Sequence, residues 1–260
     1  MVDDGSTPVA PVNAALLETG SLPRRLAGLR DVLLGNTDGV EAFNVAAPVV
    51  GAKAFPVDRF KGIVEPFLTR SRLEAVDRVL PGVSSRKLVF PRVNVPVNHE
   101  RIVRLWDSAA KKAGGEQYRW DNRVRYLKGW DANVLSGYSP DFEGEFDLAV
   151  VSLDYDKARV GSYDVQRAGL EELQAEFPDV EIGVAGLGDG GVLAHRSKVR
   201  ANRPGNSDEC YVRQIDVEPR SFGGFVSVPY GRVDEFGKGD VDRSCVGRYD
   251  YGVAARVLVR

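Results

Sequence analysis

A chain of 260 residues, 43% apolar and 28% charged, has the make-up of an ordinary globular protein and is long enough for a full hydrophobic core. Its formal net charge of -2 excludes a global basic field, so nucleic acid or an acidic membrane would have to meet a local patch. Two histidines, two cysteines and one methionine leave little material for nucleophilic, imidazole or transition-metal chemistry, and carboxylates become the main candidates for catalysis.

In chain order, residues 1–10 are polar and carry Gly5 and Pro8, which reads as a flexible tail without the basic region and apolar run of a secretory signal. No run reaches the roughly 18 apolar residues of a membrane span. A soluble, intracellular, cytoplasmic protein is the expectation. Ser21 and Pro23 open a predicted helix whose Leu22, Leu26, Leu29 and Leu33 recur at helical spacing, with Gly35 to close it. Residues 45–55 are apolar but broken by Pro48 and Gly51, and no element is assigned to them. Phe60, Ile63, Val64, Phe67 and Leu68 share one helical face that Pro66 ends or kinks. Ser71 and Glu74 have the spacing of a capping box before the stripe Leu73, Val76 and Leu80. Residues 11–85 are therefore expected to be a helical region packed on the core.

From Lys87 the pattern changes to alternating β-branched residues over 88–97, with Pro91 and Pro96 marking strand ends or an edge. Asn98 is placed to cap a helix reaching about Ala113, its apolar side carrying Ile102, Val103, Leu105, Trp106, Ala109 and Ala110. Between Tyr118 and Trp130 the residues alternate. Even positions bring Tyr118, Trp120, Val124, Tyr126 and Trp130, and odd positions bring Arg119, Arg123 and Arg125, which predicts a strand with an aromatic and a basic face. A central strand over 146–153, a helix over 162–177 and a strand over 180–187 follow. Strand, helix, strand, strand, helix, strand across 86–190 is the order of the split βαβ, ferredoxin-like arrangement. Residues 191–260 are Gly-rich, with strand-like runs at 191–195, 210–217, 224–228 and 253–259, and are expected to extend the sheet or form a small β unit. The fold class is α+β: a helical N-terminal third, a central sheet layer and a β-rich C-terminal extension. No repeat or linker divides them, which points to one composite domain.

The first candidate site is the face carrying Arg119, Arg123, Arg125, Tyr126, Lys128 and Trp130, because guanidiniums bind phosphates and exposed rings stack on bases. The plainer reading is a solvated strand face, and Asp121 among the arginines favours it. The second candidate is Asp154 and Asp156 at a strand end, with Asp131 and Asp147 near, since paired carboxylates can share Mg or Mn. Aspartate is also common where strands turn. Gly186–Gly191 follows a strand, but 192–196 reads as another strand, so a hairpin turn is expected rather than a phosphate loop. Cys210 and Cys245 form neither a disulfide framework nor a zinc pattern. His99 and His195 lack a nucleophile at a motif spacing. The expected function is a non-catalytic binding or assembly protein, without cofactor, acting through the basic and aromatic strand or the C-terminal sheet. Its expected partner is a protein, a second copy of the chain or single-stranded nucleic acid, and not a membrane. The alternative is a hydrolase or phosphoryl-transfer enzyme dependent on Mg or Mn.

Overall fold

The computed structural model describes residues 21–80, 84–112, 123–152, 162–196, 210–214, 216–233, 239–246 and 257–260. Four helices open the described chain: α1 (Leu22–Gly35), α2 (Asp38–Val50), α3 (Phe60–Phe67) and α4 (Arg70–Val79). In α1, Pro23 sits in the first turn, where no intrahelical amide is missed, and Leu26, Leu29 and Leu33 are buried as their spacing predicts. The span left unassigned is the end of α2. Pro48 lies inside its last turns, and Gly51 closes it in the left-handed conformation at φ 76°, its N–H donating to the Ala47 carbonyl. The chain leaving α2 is tied back by Asn44, whose amide both donates to and accepts from the backbone of Phe55. Helix α4 starts one residue before the predicted cap serine: the Thr69 hydroxyl accepts from the Arg72 amide at 3.3 Å, and Glu74 pairs with Arg70 instead of reaching back.

The first sheet has the order β1 (Lys87–Pro91), β2 (Leu148–Ser152), β8 (Val257–Val259), β3 (Ile182–Val184), all neighbours antiparallel. Val150 pairs with both Val89 and Val259, which fixes the centre of the sheet. Every residue of β1, β2 and β8 is buried, so both faces of these strands are covered, and apart from Lys87 and Ser152 at their ends they read as continuous hydrophobic runs rather than alternating ones. Helix α2 packs on β1, and Gly39 permits the approach. A Cβ there would land on the Val89 carbonyl oxygen, with Leu88 and Phe90 side chains at 2.8 Å.

Helix α5 (His99–Lys112) is capped by Asn98 as expected, its Oδ1 accepting from the Arg101 amide at 2.9 Å. Trp106 on α5 is fully buried, and its indole N–H donates to the Leu187 carbonyl at 2.9 Å. The second sheet is built on the long strand β6 (Phe225–Val233). Strand β7 (Gly239–Cys245) runs along one edge, and β4 (Cys210–Arg213) and β5 (Arg220–Phe222) share the other, all antiparallel. Gly223 and Gly224, at φ 57° and 85°, make the two-residue turn between β5 and β6 that requires positive φ at both positions. Helix α8 (Tyr163–Glu176) packs beside β3.

The class is α+β, and the C-terminal third supplies both expected outcomes, a strand for the first sheet and a sheet of its own. Two spans differ from the predicted elements. The basic and aromatic segment is not extended from 123 onward: Arg123–Leu127 is the short helix α6, followed by α7 (Ala132–Ser136), while residues 118–122 fall outside the described ones. The split βαβ pairing is consequently replaced, and β8 enters between β2 and β3. The Gly-rich span is also helical, α9 (Leu187–Leu193). Its glycines serve packing: a Cβ on Gly188 would strike the Ser136 carbonyl, and one on Gly191 would lie 2.6 Å from Leu105. Among the described residues no helix is long and apolar enough to cross a membrane.

The two kinds of glycine separate cleanly in a stability assay. Gly39→Ala is expected to cost about 1–3 kcal/mol in urea denaturation because a backbone carbonyl stands in the way. Gly62→Ala, in α3 with nothing within 4 Å, should gain up to ~1 kcal/mol from helix propensity.

Candidate functional site

Helix α6, the turn after it, the β5–β6 hairpin and β7 meet in one basic and aromatic surface. Arg125 and Lys128 are exposed on the first two of these segments, and Arg220 is exposed on β5. Trp130 turns inward: it is buried, its indole N–H donates to the Glu218 carbonyl at 2.8 Å, and its ring lies 5.4 Å from that of Phe222. The guanidinium of Arg243 on β7 lies 4.1 Å from the Phe222 ring centroid and 4.7 Å from that of Tyr126, with Arg125 at 5.8 Å from Tyr126. Gly129 lets the hairpin close against the turn, since a Cβ there would touch Phe222 at 2.9 Å and Arg220 at 3.0 Å. Among the described residues no carboxylate pairs with Arg125, Lys128, Arg220 or Arg243. A guanidinium lying on rings keeps its planar N–H edge free for an oxyanion, and the surface has charge to spare around it.

The structure places Arg125, Tyr126 and Lys128 together on a helix and turn instead of a strand, and it buries Trp130 beneath them instead of exposing it as a contact ring. The fault in the alternating pattern is local. Val124, Leu127 and Trp130 are three apart and face inward together, which is helical spacing, while Leu127 on the supposed basic side is fully buried. Arg119 lies outside the described residues, and of Arg123 the backbone alone is described, opening α6. Arg220, Phe222 and Arg243 were not foreseen. Strand pairing brings them in, Phe222 opposite Phe225 and Arg243 opposite Pro229, and neither position carries a local motif.

The aspartates divide differently. Asp154 and Asp156 lie outside the described residues. Asp131 is an N-cap: its Oδ1 accepts from the Asn133 and Val134 amides at 2.8 and 3.2 Å, so its role in α7 is structural. Among the described residues no three His, Cys, Asp or Glu side chains gather in a way that could hold a metal ion. Cys245 is a free, half-buried thiol.

Asp147 belongs instead to a row of alternating charges at one end of the first sheet. In strand order, Arg92 follows β1, Asp147 precedes β2, Arg260 follows β8 and Glu181 precedes β3. Arg92 and Arg260 donate to the same Asp147 oxygen, Oδ2, at 3.3 and 3.2 Å, and Arg260 also pairs with Glu181. Arg92, buried, grips Asp189 of α9 as well, through Nε at 3.1 Å and Nη2 at 2.8 Å, and Asp189 accepts from the Gly186 amide at 2.9 Å. The start of α9 is therefore occupied by the protein's own carboxylate. Burial pushes the Asp147 carboxyl up to about 6 against the attraction of Arg92, with Asp189 and Glu181 repelling it further. Of the histidines, His195 is fully buried, hydrogen-bonded through Nδ1 to Gly191 O, and burial holds it down at about 4. His99 Nε2 contacts the Trp130 carbonyl at 2.8 Å. Both support the fold.

The chain matches no protein-family model, and neither a curated protein nor a solved structure shows significant similarity to it.

The Asp147 shift has a definite sign. The folded carboxyl, at about 6, holds its proton to higher pH than the ordinary 3.8, so the native state binds more protons between those values. Its contribution is fully present below about pH 4 and lost as pH rises through 6. Denaturation of wild type and Asp147→Asn side by side cancels the opposite effect of His195, present in both. The wild type is expected to gain on the variant by about 1–3 kcal/mol from pH 7 to pH 4. A difference independent of pH would refute the shift.

Proposed function

We propose that the chain is a non-catalytic binding protein whose contact surface is the basic and aromatic face of α6, the β5–β6 hairpin and β7, and that it takes single-stranded nucleic acid there. One observation carries the reading: the Arg243 guanidinium rests on Tyr126 and Phe222, Arg125 shares the Tyr126 ring, Arg220 lies beside Gly129 in the same turn that exposes Lys128, and among the described residues none of these cations has a carboxylate partner. In a chain of net charge -2, unpaired cations gathered at one place create a local field that the whole protein lacks. Phosphates supply the planar oxygen pairs that a ring-held guanidinium accepts, and a flexible single strand can follow a curved patch that a rigid duplex would bridge. Phe225, 68% exposed at the hairpin tip, offers a free ring to a base, whereas Tyr126 and Phe222 are already engaged.

The same exposed tip supports a second reading. Phe225 with Val226, 44% exposed, is an apolar knob of the kind that docks on a protein or on a second copy of the chain.

Fluorescence anisotropy with a labelled deoxythymidine oligomer of about 12 nucleotides tests the first reading. With four phosphate contacts, log K should fall with log salt at a slope of about −3, and Arg125→Ala with Arg243→Ala should cut affinity at least ~10-fold and flatten the slope by about 1.4. Absence of salt-sensitive binding, or binding indifferent to both substitutions, would overturn it. Light scattering on the wild type and Phe225→Ser tests the second: a mass that exceeds one chain and falls in the variant assigns the tip to assembly.

A further inference from the structure

Asp147, Arg260 and Glu181 from the row of charges at the end of the first sheet line a cavity of about 420 Å³, a volume suited to a small molecule. Phe67, Phe142 and Phe146 supply its apolar walls. Four carboxylates line it, Asp141, Asp147, Asp179 and Glu181, against two guanidiniums, Arg72 and Arg260, so acidic groups outnumber basic ones. Arg260 serves Asp147 and Glu181, while Arg72 donates to the Phe67 carbonyl at 2.9 Å and stacks on the Phe67 ring at 4.2 Å. An anion would find only Arg72 without a carboxylate partner among the described residues, and would face the excess of carboxylates around it.

The carboxylates are not all committed. Asp141 and Asp179, exposed at the rim, have no ion-pair partner among the described residues. Asp147 is more telling, being only 6% exposed. Arg92 and Arg260 both reach its Oδ2, no donor among the described residues reaches Oδ1, yet Oδ1 is not sealed from solvent, and Asp147 lines the cavity. A buried carboxylate with one oxygen open to a cavity calls for an N–H donor, and a charged donor bonds it most strongly. A bare divalent cation does not fit, because no three ligating side chains gather among the described residues.

From this geometry we propose that the cavity at the end of the first sheet binds a small organic cation, an amine with an aromatic or branched apolar body, its ammonium on Asp147 Oδ1 and its body against Phe142 and Phe146. The site is separate from the basic surface proposed above and takes ligands of the opposite charge, so either assignment stands or falls without the other.

The probes are 2-phenylethylamine and its anionic counterpart 3-phenylpropionate, titrated into the full chain by ¹H–¹⁵N NMR and isothermal calorimetry at neutral pH. The amine should bind saturably with Kd near ~1 mM and the acid at least ~10-fold more weakly. Phe142→Ala and Asp179→Asn alter only partly or fully exposed side chains, so both variants should fold, and each should weaken the amine several-fold. Asp147→Asn should abolish it where the variant remains folded by its thermal melt. Equal binding of the two probes, no saturable shift up to ~10 mM amine, ten times the expected Kd, or unchanged binding in both rim variants would each overturn the proposal.

Discussion

The buried pairing of Arg92 with Asp189 is the constraint on which the rest of the structure turns. It joins the end of β1 to the start of α9, and Asp147 and Arg260 extend it along the other strands. Charges this deep cannot rely on water, and a pair of this kind is stabilising only if the geometry is good and every remaining donor is used. Arg92 comes close to that condition, with a carboxylate oxygen on each of its three nitrogens, Nε and Nη2 on Asp189 and Nη1 on Asp147, while its backbone amide donates to the Asp147 carbonyl at 2.7 Å. Space for the guanidinium comes from Gly137, in the left-handed conformation at φ 78°, where a Cβ would collide with Arg92 Nη2. Loss of either partner would strand a buried charge, at a cost of roughly 3–5 kcal/mol.

Trp106 does for the second sheet what Arg92 does for the first. Its ring fills the space opposite Gly231 on β6, and its N–H reaches the carbonyl of Leu187 in the same short helix that carries Asp189. One seven-residue helix is thus held to both sheets, to one by an ion pair and to the other through an indole. Its helical state is decided by those contacts. Gly188, Gly190 and Gly191 have the poorest propensity of any residue but proline, and tertiary packing overrides it.

The elements legible in the sequence were those whose period and boundaries agreed. Helices α1, α5 and α8 announce themselves by leucine or tryptophan stripes and by Ser21, Asn98 and Ser162 at their starts, and β2 by an apolar run too short for a helix. The rest was hidden for identifiable reasons. Over five residues a period of 2 and a period of 3.6 are hard to tell apart, so Arg123–Leu127 satisfied both readings. Pro48 in α2 and the glycines of α9 are breakers by propensity and were outvoted by packing. The site was half legible: Arg125, Tyr126 and Lys128 are neighbours in sequence, but Arg220, Phe222 and Arg243 join them only through antiparallel register, which no local pattern encodes.

Net charge close to neutral conceals how the charges are placed. With 35 basic and 37 acidic side chains, any patch of unpaired cations implies unpaired carboxylates elsewhere. Here the two populations occupy different ends of the architecture. Among the described residues Arg125, Lys128, Arg220 and Arg243 have no carboxylate partner on the hairpin side, and Asp141 and Asp179 have no ion-pair partner where the first sheet ends. The buried Arg92 and Arg213 are engaged, the first by Asp189 and Asp147 and the second by Gln166 and the Cys245 and Val246 carbonyls. Screening in physiological salt extends over only about 8 Å, so each end presents its own sign to an approaching molecule regardless of the total. A chain that is nearly neutral in sum can in this way carry a basic surface and, apart from it, an acidic cavity.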